Sequence, residues 1–158
     1  MPSNHEKVTR LILAIAICQL AGIIGFVFTQ DSTGTWYQTI NKPTFTPPAE
    51  IFGPVWITLY TMMGISLFLV WNKKSRHKKK AITLFSIQLA LNALWSILFF
   101  GLHAPWLAFA NIILLWAFIL AAMIQFYKIS KPAAYLNLPY ILWVSFAVVL
   151  NLAIALLN

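Results

Sequence analysis

The sequence predicts an all-α integral membrane protein, a single bundle of five transmembrane helices. Three observations predict it: five apolar stretches of spanning length, a shortage of charged residues, and a lopsided distribution of basic side chains. The stretches run at about 11–30, 53–72, 81–102, 106–127 and 134–157. Each is close to the roughly 20 residues that carry a helix across about 30 Å of hydrocarbon. A β-barrel needs shorter segments of alternating polarity, and these runs do not alternate. Of the 158 residues, 61% are hydrophobic and 9% charged, whereas a soluble domain carries about 25% charged residues. Too few polar residues exist to cover a soluble fold, and the length suits one domain, 1–158.

The first stretch follows Lys7 and Arg10, as a signal peptide would. It is long for a signal core, however, and no small-residue cleavage site follows it, so a retained first span is expected. The first connection, about 31–52, holds Asp31, Lys42 and Glu50 with Gly34, Pro43, Pro47 and Pro48. The second is the basic run Lys73, Lys74, Arg76, His77, Lys78, Lys79 and Lys80; the third and fourth are tight turns near Gly101–Pro105 and Lys128–Pro132. Short connections make neighbouring spans antiparallel. Ten of the eleven Lys and Arg residues then share one side with the N-terminus, and only Lys42 lies opposite. By the positive-inside rule the N-terminus is expected in the cytoplasm and the long first loop outside. The net charge of +8 is thereby a topology signal and requires no nucleic-acid partner. The basic run could also touch anionic headgroups.

Missing residues narrow the chemistry. Glu6, Asp31 and Glu50, the three acidic residues, fall outside the spans, and the single Cys18 sits in an apolar run as a packing residue. Ion-driven transporters keep charges within the membrane, and acid–base or acyl-transfer catalysis needs placed carboxylates or a Ser/His/Asp set. Neither pattern is present, so no catalytic residue and no metal ligand set is expected. His103, in the third turn, leaves axial haem ligation open, though a turn histidine is more often simply solvated.

The unusual supply is aromatic, with 7 Trp, 5 Tyr and 12 Phe. Rings at headgroup level account for Trp71 and Trp106; Trp116 is satisfied by lipid or a neighbouring helix. Trp95 and Trp143 lie inside their spans, where a buried indole N–H needs an acceptor that lipid lacks. On the third span Gln88, Asn92 and Ser96 recur at four-residue spacing with Trp95 beside them. On the fifth, Tyr140, Trp143, Ala147 and Asn151 share a face, and Gln19 and Gly22 repeat the pattern on the first. Such stripes serve as interhelical glue or as the placed polar groups of an apolar pocket. Taken alone they favour glue. The first loop shifts the balance: it carries Trp36, Tyr37, Phe45 and Phe52, stiffened by Pro43, Pro47 and Pro48. A rigid aromatic loop is expected to fold over the bundle mouth.

The stretch WYQTINKPTFTPPAEIFGPVWITLY from Trp36 to Tyr60 resembles the signature of the TspO/MBR family (tryptophan-rich sensory protein, translocator protein, peripheral-type benzodiazepine receptor). LNALWSILFFG at 91–101, the PY-x-x-W-x-x-FA run at 139–147 and the LN at 150–151 agree with it. The resemblance implies a five-helix bundle, commonly a homodimer, whose first loop closes a pocket for porphyrins and other tetrapyrroles, sterols or synthetic benzodiazepine-type ligands. Carried onto this chain, the implied lining is Trp36, Pro47, Pro48, Trp56, Asn92, Trp95, Trp143, Phe146 and Ala147, with a tetrapyrrole as ligand and no cofactor required. The stripes had independently selected Asn92, Trp95, Trp143 and Ala147. Animal members carry a sterol-recognition pattern with a Tyr followed by a basic residue late in the last helix. The segment from Ala147 to Asn158 has no basic residue, which points away from cholesterol and toward a microbial protein in a prokaryotic membrane.

Three functions follow as expectations. The first is a receptor or carrier that binds a tetrapyrrole for sensing, transport or scavenging. The second, implied by the resemblance, is light- and oxygen-dependent porphyrin breakdown, for which only Trp and Tyr redox chemistry, at Trp56 and Trp143, would serve. The third is a structural or partner-regulating protein, with Ser86/Ala90 and Ala117/Ala121 as a close helix interface.

Overall fold

A computed structural model describes residues 3–158. Five helical spans form as the apolar stretches predict, at 4–34, 49–71, 78–101, 105–129 and 131–157. The individual elements are α1 (Asn4–Gly34), α2 (Trp36–Thr39), α3 (Ala49–Trp71), α4 (Lys78–Ser96), a π-helical turn (Ile97–Gly101), α5 (Pro105–Ile129), α6 (Lys131–Tyr135) and α7 (Leu138–Leu157). No strand forms among the described residues. In hydrocarbon every backbone amide must bond within its own segment, and a helix meets that condition without a neighbour.

The local signals are conventional. A capping box joins the Ser3 and Glu6 side chains to each other's backbone N–H at the start of α1. Pro105, Pro132 and Pro139 stand in the first turns of α5, α6 and α7, where no helical partner for their missing N–H would exist. One boundary moves. The first span was expected to end near residue 30, yet α1 continues to Gly34 and α3 begins at Ala49, which shortens the connection to 35–48. Asp31 limits what hydrocarbon tolerates, but helix hydrogen bonds persist in water. At 1.5 Å per residue the 31 residues of α1 reach about 46 Å, beyond a bilayer core.

The ends of the bundle are chemically distinct. At the basic end Arg10 donates to the Asn72 side chain across α1 and α3, and Lys78 caps the Trp71 carbonyl. At the opposite, loop end Ser32 reaches the Phe100 carbonyl and His103. Asn41 exchanges hydrogen bonds with Asn158 and donates to the Leu157 carbonyl.

Helix contacts are pinned by side chains that hydrocarbon could not satisfy. Asn111 donates to the Leu91 carbonyl, Asn151 to the Pro105 carbonyl and the Trp116 indole to Ser145. Ser66 donates to the Ala133 carbonyl, and Asn137 donates to Ser66. Small residues set the spacing at the basic end. Ala14, Cys18, Ala81 and Ala133 are wholly buried, and Gly64 brings α3 against the backbone of α1. A Cβ at Gly64 would lie 2.5 Å from Ile15 Cα.

Because that contact is backbone rather than a flexible tip, Gly64→Ala is expected to force α1 and α3 apart. The cost should be on the order of 1–3 kcal/mol, read as a lower midpoint of thermal unfolding in detergent micelles. An unchanged midpoint would show that the two helices can slide freely.

Candidate functional site

Between α1, α2, α3, the α4–π turn and α7, in the loop half of the bundle, lies a cavity of about 640 Å³. That is within the usual range for small-molecule sites, about 300–1,000 Å³. Its walls are almost entirely apolar and aromatic. Phe52 and Trp56 come from α3, Trp95, Phe99 and Phe100 from the third span, and Trp143, Phe146, Ala147 and Leu150 from α7. No residue of α5 contributes.

The rings are props as well as lining. Phe52 meets Trp143 edge-on at 5.9 Å and Trp56 meets Tyr140 at 6.3 Å, so α3 and α7 touch through rings, not backbones. Trp56 stacks on Tyr60 at 5.4 Å and Trp95 on Phe99 at 5.2 Å. The π-helical turn adds one residue to a helical turn, and Phe99 and Phe100 both reach the cavity from it.

Beneath the floor runs a closed polar chain. The Tyr60 hydroxyl donates to Asn92 Oδ1. Asn92 Nδ2 donates to the Tyr140 hydroxyl at 2.9 Å, which donates to Gln88 Oε1 at 2.8 Å. Four side chains on three spans are thus linked in series. The stripe on the third span therefore divides between the two readings: Gln88 and Asn92 are glue, while Ser96 lines the cavity.

Trp56, Trp95, Trp143, Phe146 and Ala147 line the cavity together. The other four implied residues stand elsewhere. Asn92 is 3% exposed and lies one layer behind the wall, its amide spent on two tyrosines, so that Tyr60 presents the ring at that position. Trp36 turns away from the cavity, stacks on His103 at 4.4 Å and meets Phe99 edge-on. Its neighbour Tyr37 is the loop aromatic that enters the lining. Pro47 and Pro48 are outside the lining, Pro48 standing at the N-cap of α3, where they set the path by which the loop descends into the helix. His103, at φ 51°, adopts the left-handed conformation that His tolerates better than most residues.

Tyr60, Phe99 and Leu150 escape the motif reading, although each follows an implied residue by one turn, after Trp56, Trp95 and Phe146. The helical period that groups side chains at i and i+4 was the signal that could have found them.

The polar groups left to a ligand are few. The Trp95 indole is spent on Asn151 Oδ1 at 2.9 Å. The indole N–H groups of Trp56 and Trp143 make no hydrogen bond to any described residue, and both rings line the cavity. In the loop, Lys42 lies 4.9 Å over the Tyr37 ring and donates to the Tyr37 and Ile40 carbonyls. Burial pushes the Tyr37 phenol above its ordinary pKa.

Replacing Asn92 by Ala should leave the Tyr60 hydroxyl buried without an acceptor and remove a donor from Tyr140. A loss of about 1–3 kcal/mol is expected, measured as a fall in unfolding midpoint in micelles. A midpoint equal to that of the parent protein would mean that the chain of hydroxyls and amides contributes nothing to folding.

Comparison with known proteins agrees with the geometry. The family model described as TspO/MBR matches residues 14–157. The chain is 40% identical to the tryptophan-rich protein TspO of Chlorobaculum tepidum over 98% of this chain and 99% of that protein. It is 41% identical to the protein of the same name from Archaeoglobus fulgidus over 96% and 99% of the two chains. With the translocator protein of Bos taurus it shares 35% identity over 84% of this chain and 80% of the other. These matches run through every span and through the loop that roofs the cavity, and the chain is a multi-pass integral membrane protein of the TspO/MBR family.

Proposed function

We propose that this protein binds tetrapyrroles and related flat apolar molecules in the cavity beneath its first loop, as a membrane receptor or carrier. The observation that carries the reading is the cavity itself: aromatic walls about a space of about 640 Å³, with two unspent indole donors at Trp56 and Trp143. Planar macrocycles gain affinity by offset stacking on aromatic faces. Their peripheral carbonyl or carboxylate groups would accept from the indoles, while the Trp95 and Tyr60 polar atoms are already engaged. Relatives named translocator protein and tryptophan-rich sensory protein favour transport or sensing over a purely structural part. The crowding of basic residues at the end opposite the loop supports an orientation with the loop and cavity toward the non-cytoplasmic face, by the positive-inside rule. The bacterial and archaeal relatives fit a prokaryotic membrane. Ser86, Ala90 and Ala117 are exposed on the outside of α4 and α5, where a second copy forming a homodimer could pack.

Titration with protoporphyrin IX should quench tryptophan fluorescence saturably. Replacing both Trp56 and Trp143 by Phe should raise Kd about tenfold, equivalent to about 1.4 kcal/mol, by removing both indole donors and part of the stacking surface. An unchanged Kd overturns the assignment of this cavity as the site.

A second reading, light-dependent porphyrin breakdown, draws support from one contact. Trp56 stacks on Tyr60, two rings able to exchange an electron with an excited ligand and with each other. Illumination in oxygen should then yield products that free porphyrin in detergent does not, and the Trp56→Phe, Trp143→Phe double variant should lose them. Identical product spectra with and without protein would sink it.

A further inference from the structure

The seam between α1 and α3 changes character halfway along. In the basic half the two backbones touch, at Gly64 and Ile15. The last bond across the seam is a clasp: Gln19 Nε2 donates to the Ile57 carbonyl at 3.1 Å and to Thr61 Oγ1 at 3.0 Å. Next to it the Tyr60 ring fills the space over Gly22. Beyond that point the helices take different partners. α1 leans on the third span, through Gly25 against Ser96, Phe28 against Gly101 and Ser32 on the Phe100 carbonyl. α3 leans on α7, through Phe52 on Trp143 and Trp56 on Tyr140. Among the described residues, no hydrogen bond or ring pair joins α1 to α3 on the loop side of the Gln19 clasp.

The wedge left by this divergence is rimmed by Ile23, Phe26, Gly53 and Ile57, all of which also line the cavity. Ile23 is 56% exposed, and Phe26 and Ile57 are each 61% exposed, far more than the rings of the opposite wall. A Cβ built on Gly53 meets nothing within 4 Å. The next residue, Pro54, lacks the N–H that would bond the Glu50 carbonyl, so the α3 edge is held less firmly than the rest of that helix. The loop, by contrast, is tied to the C-terminal end of α7. Asn41 in the loop and Asn158 beyond α7 exchange two hydrogen bonds, at 2.9 and 3.0 Å, and Asn41 makes a third to the Leu157 carbonyl.

We propose that the wedge is a lateral portal through which an apolar ligand passes directly between the bilayer hydrocarbon and the cavity, with the Gln19 clasp at its apex. The ligand therefore arrives already dissolved in the membrane, and the first loop serves as a fixed roof. The route rests on the reading of the cavity as a binding site; the nature of its ligand is a separate matter, and the experiment keeps the two apart.

In proteoliposomes of the Cys18→Ala protein, protoporphyrin IX delivered from vesicles is followed by stopped-flow quenching. Gly53→Trp should slow association and dissociation together, each by about tenfold, because a plug slows traffic both ways whereas damage to a wall speeds release. Oxidised Asn41→Cys, Asn158→Cys, which locks the roof, should leave both rates within about twofold of its reduced form. Unchanged rates with Gly53→Trp, faster release, or a roof lock that stops exchange would each overturn the portal. A second arm needs no porphyrin. A bimane on Ala147→Cys, inside the cavity, should be quenched by phospholipids carrying a nitroxide on the acyl chain, and Gly53→Trp should relieve that quenching. Absence of quenching overturns the portal whatever the ligand; quenching without porphyrin binding overturns only the tetrapyrrole reading.

Discussion

Hydrocarbon accepts no hydrogen bonds, and the rest of this structure depends on how the chain meets that constraint at mid-bundle. Gln88, Tyr140, Asn92 and Tyr60 close on one another in a chain that ties the third span, α7 and α3. Each bond is modest on its own, since interhelical polar contacts in membranes are worth roughly 0.6–2 kcal/mol. The alternative of an unpaired polar atom in a dry interior is what makes the set binding on the fold. The chain acts as a collar: below it the helices close up, above it they diverge.

The difference between the halves is one of side-chain volume. Toward the basic end Ala14, Cys18, Gly64, Ala81 and Ala133 permit backbone approach, and van der Waals contact between helices supplies the cohesion that a hydrophobic effect cannot supply within lipid. Toward the loop, Phe52, Trp56, Trp95, Trp143 and Phe146 are too large to let the spans meet and too rigid to collapse into the gap. The space between them persists because rings brace rings. The walls of the site and the props that hold it open are the same side chains.

This arrangement also divides labour among the tryptophans. Trp95 and Trp116 spend their indole donors on Asn151 and Ser145 and so position helices. Trp36 covers His103 and anchors the roof. Only Trp56 and Trp143 combine a place in the wall with a donor left over. Abundance of tryptophan is thus several structural demands at once, and the chemistry available to a ligand comes from a minority of the rings.

Much of this was legible in the sequence. Length and hydropathy alone determine the five spans, because the bilayer sets a spanning length and every backbone amide must bond locally. Helical periodicity identifies the faces of the third span and of α7 that turn inward, Trp95, Trp143 and Ala147 among them, but does not by itself separate a cavity wall from interhelical glue. What periodicity leaves undecided is depth. A residue facing inward can form the wall or sit behind it, and the outcome turns on what the neighbouring helix places in front. Asn92 faces inward, and Tyr60 of α3 covers it. Trp36 and Tyr37 are adjacent in the loop, and only the turn that ends α1 at Gly34 decides which of them enters the cavity. The divergence of α1 from α3 is likewise a product of contacts between residues 38 or more apart, from Gln19 to Ile57 and Thr61. Local patterns specify which groups must be satisfied; only the tertiary structure chooses their partners.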